Sequence, residues 1–237
     1  MENSLKINGR TYGVEYVKAS GRTSSVRIRG GKVVLRLSRF LRGRKMDETI
    51  EKFLKWSKKT LAEAEICEFA VPKFEDSGVV ATHNKVYQIK AVYEERNGCF
   101  SKIVDGSVIL IKIPLNTEKG KVKHLAEKVI MEDQKQYLLE TIDELNQLHF
   151  QSDYNMCRFK RMDSRLGSCS KRRNLNIALK TLFMPREVFR YICLHELAHL
   201  KEMNHSKRFW ALVSEAMPGY KEQEKWLKKN LATYSLL

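Results

Sequence analysis

The segment HELAHLKEMNH, residues 195–205, limits what this chain can fold into more than any other stretch. Residues four apart in an α-helix differ by about 40° in rotation and about 6 Å in height, so His195 and His199 share one face and can bind one metal ion. Glu196 lies about 100° further round the helix. Its carboxylate can therefore contact a water molecule on that ion without binding the ion itself.

His205 can join this pair only if the helix ends before it. In a continuous helix, His205 would lie about 15 Å along the axis from His195, too far for a shared metal ion. We therefore predict a sharp reversal of the chain at residues 202–204. Asn204 tolerates the left-handed conformation that ends many helices, and Ser206 is a good cap for the next helix.

These residue types predict metal-assisted hydrolysis. Three histidine nitrogens and one open position are typical of catalytic zinc, which lowers the pKa of water while a nearby carboxylate moves the proton. We predict Zn²⁺ on His195, His199 and His205, with Glu196 as the general base. Glu215, on the next predicted helix, is the alternative to His205, because some metallopeptidases use a distant glutamate as the third ligand.

The hydrophobic pattern predicts strands in the first half of the chain and mostly helices later. Alternating or β-branched stretches predict strands and hairpins at residues 12–18, 24–29, 32–37, 78–94, 100–113, 155–162 and 174–180. Tight turns are expected at Gly30-Gly31, His83-Asn84 and Asp105-Gly106. Helices are predicted after Asp47, in one long segment over 117–149, and from near Pro185, Ser206 and Lys221. The sequence shows no internal repeat.

The formal net charge is +16, and the basic residues are unevenly spread. Residues 1–45 are rich in lysine and arginine, and their only acidic residues are Glu2 and Glu15. A second basic cluster covers residues 158–173, where Asp163 is the only acidic residue. Such surfaces attract polyanions, so a nucleic acid is a candidate partner in addition to a protein or peptide substrate.

Cysteine usage and hydropathy predict a cytoplasmic protein that does not enter a membrane. The five cysteines are scattered and form no C-x-x-C pair, which argues against a disulfide framework and against a cysteine zinc knuckle. No apolar run approaches the roughly 20 residues that span a bilayer. The opening residues, MENSLKINGR, lack the pattern of a secretory signal.

Three segments resemble the YgjP-like metallopeptidase family. They are RLGSCS (165–170), NLNIALKTLFMPREVFRYICLHELAHLKEMNHSKRFWALV (174–213) and MPGYKEQEKWLKKN (217–230). That family belongs with the zincins and is similar in its core to the SprT-like and WLM proteases. The resemblance implies zinc on the three histidines, Glu196 as general base, and a strand beside the active-site helix that pairs with an extended substrate. We expect NLNIALK to be that strand.

The RLGSCS segment departs from the family in one residue. Leu166 stands where the family usually has tryptophan. Its neighbour Arg165 is either a cation that stabilises the oxyanion of the reaction or a partner in a structural salt bridge.

We therefore predict an α+β fold with a zincin-like core at the C-terminal end. The change from strands to helices places the boundary near residues 114–117. This gives a basic β-rich N-terminal region with one helix over 1–115 and a zincin-like metallopeptidase domain over 116–237. The predicted function is a zinc-dependent metallopeptidase. The alternative is a nucleic-acid-binding protein, including a DNA-associated protease, in which the zinc site is secondary.

Overall fold

The computed structural model describes residues 3–7, 10–29, 32–63, 72, 74–118 and 120–234. The turn predicted at Gly30-Gly31 lies outside these residues. Contacts divide the chain into two compact units, residues 1–67 with 225–237 and residues 68–224. The boundary predicted at 115/116 falls inside the second unit, and that domain division stays a prediction.

The first unit holds one four-stranded sheet and a helix that covers one of its faces. Its elements are β1 (Ser4–Ile7), β2 (Arg10–Ala19), β3 (Ser25–Arg29), β4 (Lys32–Ser38) and α1 (Arg44–Glu63). The strand order is β1-β2-β4-β3, with β2 and β4 parallel and the other pairs antiparallel. Alternate strand residues such as Leu5, Val33 and Leu35 are buried with Ile50 and Leu54 of α1, so the other strand face is left to solvent.

The second unit begins with a sheet of the same topology. Its strands are β5 (Val79–Ala81), β6 (Val86–Glu94), β7 (Phe100–Val104) and β8 (Val108–Pro114). The order is β5-β6-β8-β7, and β6 and β8 are parallel. The hairpins predicted around residues 83–84 and 105–106 are both present. The second sheet thus repeats the strand order and directions of the first, a structural repeat that the sequence analysis did not predict.

Two helices follow this sheet where the sequence predicted one. They are α2 (Lys121–Asp133) and α3 (Lys135–His149), and the break falls at Gln134. The side chain of Gln134 is buried, donates a hydrogen bond to the hydroxyl of Tyr87 and accepts one from Asn84. The apolar spacing continues across Gln134, so the break follows from these contacts with the β5–β6 hairpin.

A third sheet lies beside the last helices of the unit. Its strands are β9 (Met156–Lys160), β10 (Gly167–Cys169) and β11 (Asn174–Ala178), in the order β10-β11-β9. A short 3-10 helix, Leu179–Phe183, leads into α4 (Arg186–Ala198), α5 (Lys207–Ala216) and α6 (Tyr220–Tyr234), the last of which passes into the first unit. The first five residues of NLNIALK form β11, which pairs with a strand on each side, and the last two begin the 3-10 helix. The expectation that it would offer a free edge was therefore wrong.

The architecture is α+β, as predicted. The described residues contain three small sheets and six α-helices. Among them, no helix combines the length and the apolar character that crossing a bilayer requires.

Candidate metal centre

Helix α4 fixes the first half of the centre because it is buried along almost its whole length. Pro185 caps its start with φ −53°, the conformation that suits a proline at a helix N-terminus. Leu194, Leu197 and Ala198 have no exposed surface. The helix therefore has little freedom to rotate, and the direction of the His195 and Glu196 side chains is set by the core.

The reversal predicted at residues 202–204 is present, with bends at Met203 and Asn204, but α4 itself ends earlier than expected. The helix ends at Ala198, and the amides of Leu200 and Lys201 donate to carbonyls three residues back, at 2.9 and 3.0 Å. This is the tight 3-10 type of ending. Asn204 does not have a positive φ, so its predicted left-handed conformation was wrong.

The next helix begins where the sequence predicted. Ser206 is the cap of α5, and its hydroxyl accepts a hydrogen bond from the amide of Phe209 at 3.3 Å. Since His205 directly precedes this cap, its position is tied to the start of α5. The imidazole is thereby turned back towards the end of α4.

The three predicted histidines come together. One potential ligand atom from each of His195, His199 and His205 lies within 4.8 Å of the other two. The Nε2 atoms of His195 and His205 are 2.9 Å apart. Nδ1 of His199 donates to the carbonyl of Glu202 at 3.1 Å, which leaves its Nε2 for a ligand. A partner of this kind on the remote nitrogen is typical of metal-binding histidines.

These nitrogens fit a divalent metal ion. Zinc–nitrogen bonds of about 2.0–2.1 Å in a tetrahedron place the nitrogens about 3.3 Å apart, which lies between the shortest and longest distances in the cluster. Burial and the two neighbouring histidines lower the pKa of His195 to about 3, and burial also lowers the pKa of His199. Both shifts favour the neutral ring, the form in which imidazole binds a metal.

A phenyl ring that the sequence analysis missed packs against all three imidazoles. The ring centroid of Phe209 lies 4.8, 4.6 and 4.7 Å from those of His195, His199 and His205. Phe209 itself has no exposed surface. The sequence could have indicated Phe209 by its position three residues after the Ser206 cap. This position puts an apolar side chain in the first turn of α5, next to the reversal.

Glu196 lies beside the cluster, on the side facing β10. Its side chain is buried, with 6% exposed. Burial raises the pKa of the Glu196 carboxyl to about 8, while the charge of Arg165 and a hydrogen bond from the backbone amide of Cys169 act in the opposite direction. Arg165 makes no direct ion pair with any described residue, so the salt bridge considered for it is not observed.

Gly167 is the second residue that the sequence analysis missed. A Cβ atom on Gly167 would lie 2.4 Å from Oε1 of Glu196 and 2.6 Å from its Cγ. The carboxylate thus occupies the space that a side chain at residue 167 would need. A glycine within a strand often marks such a close approach, but β10 was too short for the sequence pattern to reveal a strand.

A comparison with models of protein families identifies the family to which this chain is related. A family model described as YgjP-like, metallopeptidase domain matches residues 22–230. The chain belongs to the YgjP-like family. The resemblance inferred from the sequence is confirmed, and membership supports the prediction of a metal-dependent peptidase.

Two solved structures are similar to part of this YgjP-like protein. The zymogen of the metallopeptidase abylysin from Pyrococcus abyssi is 25% identical, with 39% of this chain and 97% of that chain covered and a TM-score of 0.35. The zymogen of jannalysin from Methanocaldococcus jannaschii is 24% identical, with coverages of 37% and 90% and a TM-score of 0.33. The search of curated proteins finds no match.

The alternative third ligand lies elsewhere in this YgjP-like chain. Glu215 is exposed on α5 and is not part of the histidine cluster. Within the described residues, these histidines are the only group of three or more His, Cys, Asp or Glu side chains that lie close enough together to share a metal ion.

Proposed function

We propose that this YgjP-like protein is a zinc-dependent peptidase with a zincin-like core, in which Glu196 is the general base. The observation that carries the proposal is the convergence of three imidazoles within 4.8 Å, next to a buried carboxylate on the same helix. A purely structural metal site would be closed by a fourth protein ligand. It would also have no use for a carboxylate held beside it.

The histidines and the glutamate have different roles in the proposed hydrolysis. His195, His199 and His205 would hold the ion. When bound, Zn²⁺ supplies Lewis-acid chemistry, lowering the pKa of water and polarising a carbonyl group. Glu196 accepts a proton from the attacking water as the water oxygen bonds to the peptide carbonyl carbon. The same carboxyl then donates this proton to the departing nitrogen, the carbon–nitrogen bond breaks, and one chain ends in a carboxyl group while the other begins with an amine.

The strand that receives the substrate in this proposal is β10. Because β11 lies between β9 and β10, the edge that remains next to α4 belongs to β10. An extended peptide that pairs with this edge gains backbone hydrogen bonds. Gly167, in the same strand, touches the Glu196 side chain, so pairing on β10 brings a peptide close to the general base.

The test of the general base is Glu196→Gln, which keeps the shape of the side chain and removes its basicity. We expect hydrolysis of labelled casein to fall by about 10²- to 10⁴-fold, with zinc content unchanged by metal analysis. Casein cleavage by this variant at the parent rate would contradict the proposal.

A matched pair of variants tests the third ligand. His205→Ala should lose zinc and activity together, because it removes one of three ligands. Glu215→Gln makes the same isosteric change as Glu196→Gln at an exposed position on α5 and should keep both. The opposite pattern would assign the third ligand to Glu215.

A further inference from the structure

We propose that the outer face of the β1–β4 sheet binds the phosphate backbone of a nucleic acid. This outer face carries Lys6 on β1, Arg27 on β3, and Lys32 and Arg36 on β4. Their neighbours along the strands, such as Leu5, Val33 and Leu35, are buried against α1. Successive side chains alternate between the two faces of a strand, so the four cations share the face opposite α1.

No residue that the structure describes neutralises the charges on the outer face. All four side chains are exposed, and none forms an ion pair with another described residue. The strand register places only one acidic side chain on the same side, Glu15, which is paired with Val34 of β4. Four cations against one anion leave a strongly positive surface.

Three arginines of the second basic cluster differ in this respect. Arg158 donates to the amide oxygen of Asn176, Arg161 pairs with Glu127 at 2.8 Å, and Arg173 donates to a backbone carbonyl. These arginines are used within the second unit. The four cations of the outer face, in contrast, share one face of one sheet and have no such partner among the described residues.

The dimensions of the outer face suit a polymer of phosphates. The four strands span about 14 Å across the sheet, and Lys32 and Arg36 lie about 13 Å apart along β4. Duplex DNA carries one negative charge per roughly 1.7 Å of its axis, so several phosphates fall within this area. The apolar residues between the cations, Val17 and Val34, are partly buried. They offer no bulky exposed side chain of the kind that inserts into a lipid bilayer.

Salt-dependent binding by the whole 237-residue chain tests this proposal. Fluorescence anisotropy would measure binding to a labelled 30-base-pair DNA duplex and to an RNA of the same sequence between 50 and 200 mM salt. Four phosphate contacts predict a slope of about −3.6 in a plot of log K against log salt for the duplex. Binding should survive a chelator, because the outer face and the histidine cluster are in different units. A preference for DNA or for RNA would identify the source of the phosphates.

Two double variants with the same loss of charge locate the surface. Arg27→Gln with Arg36→Gln should weaken binding at least tenfold at 50 mM salt and reduce the slope by about 1.8. Lys52→Gln with Lys55→Gln removes two exposed charges from α1, on the opposite side of the sheet. This control should change affinity less than twofold. Thermal unfolding should show that both variants remain folded.

Several results would overturn the proposal. Equal losses in the two double variants would show an effect of net charge alone. Absence of binding at 50 mM salt, or its loss with a chelator, would also remove the outer face as the binding site. Binding to phosphatidylserine vesicles without binding to either nucleic acid would make the partner a lipid.

Discussion

Gly167 shows how a single residue without a side chain can position the proposed catalytic carboxylate. Three atoms of the Glu196 side chain lie within 2.6 Å of the place where a Cβ would be. The contact includes Cγ as well as the end of the carboxylate, and Glu196 is buried, so the side chain has little room to move aside. The position of this proposed general base thus depends on a glycine in the neighbouring strand.

We expect Gly167→Ala to reduce peptide hydrolysis at least a hundredfold while zinc content stays the same. The added methyl group displaces the carboxylate from its position, because its three nearest neighbours are all atoms of Glu196 rather than of a histidine. The rate of casein cleavage and metal analysis on one preparation would measure both effects. Gly219→Ala is the control, because a Cβ there meets nothing within 4 Å. Full activity in Gly167→Ala would show that the carboxylate can act from another position.

At the scale of elements, the sequence predicted most of the segment formed by α4, the reversal after it, and α5. Histidine spacing fixed the face of α4, and the Ser206 cap marked the start of α5. The features that the sequence did not predict depend on tertiary contacts or on very short elements. The α2–α3 break depends on side chains of the β5–β6 hairpin, and the three-residue β10 is too short to show alternation.

The junction between β6 and α2 is held by a polar network that the sequence could not reveal. The carboxylate of Asp133 accepts hydrogen bonds from the ammonium of Lys85 and the hydroxyl of Tyr87. Burial acts to raise the pKa of Asp133, but these hydrogen bonds outweigh it, and the pKa lies below its ordinary value of 3.8. The folded state therefore favours the charged carboxylate.

Asp133→Asn should lower the free energy of unfolding by about 2 kcal/mol at pH 7, the usual contribution of hydrogen bonds to a charged group. A carboxyl with a depressed pKa stabilises the fold above its unfolded pKa and loses this effect as pH falls through the folded value. The difference between parent and variant should therefore shrink below about pH 4. Urea unfolding at pH 7 and pH 3 would measure it. An equal difference at both pH values would rule out the charged network as its cause.

At the scale of the whole molecule, two alternative domain boundaries can be tested with two fragments. One boundary was predicted from the sequence at 115/116, and the other follows from the contact-defined unit 68–224. Residues 116–237 leave out the β5–β8 sheet, on which α2 packs through β7 and β8. Residues 68–224 keep that sheet and the three histidines. We expect the longer fragment to fold and bind zinc and the shorter one to do neither, as measured by circular dichroism and zinc titration. Zinc binding by the shorter fragment alone would support the boundary at 115/116.

The identical strand order of the first two sheets has an evolutionary consequence. Each consists of four strands in the same directions followed by a helix, and the parallel pair joins residues of the second and fourth strands in both. Arg27 and Arg36 of the first copy correspond in register to Lys102 and Lys112 of the second. Tandem duplication of one ancestral gene segment produces this pattern. The two sheets now differ at these positions: Arg27 and Arg36 have no ion-pair partner among the described residues, whereas the ammonium of Lys112 lies 3.8 Å from the carboxylate of Glu94.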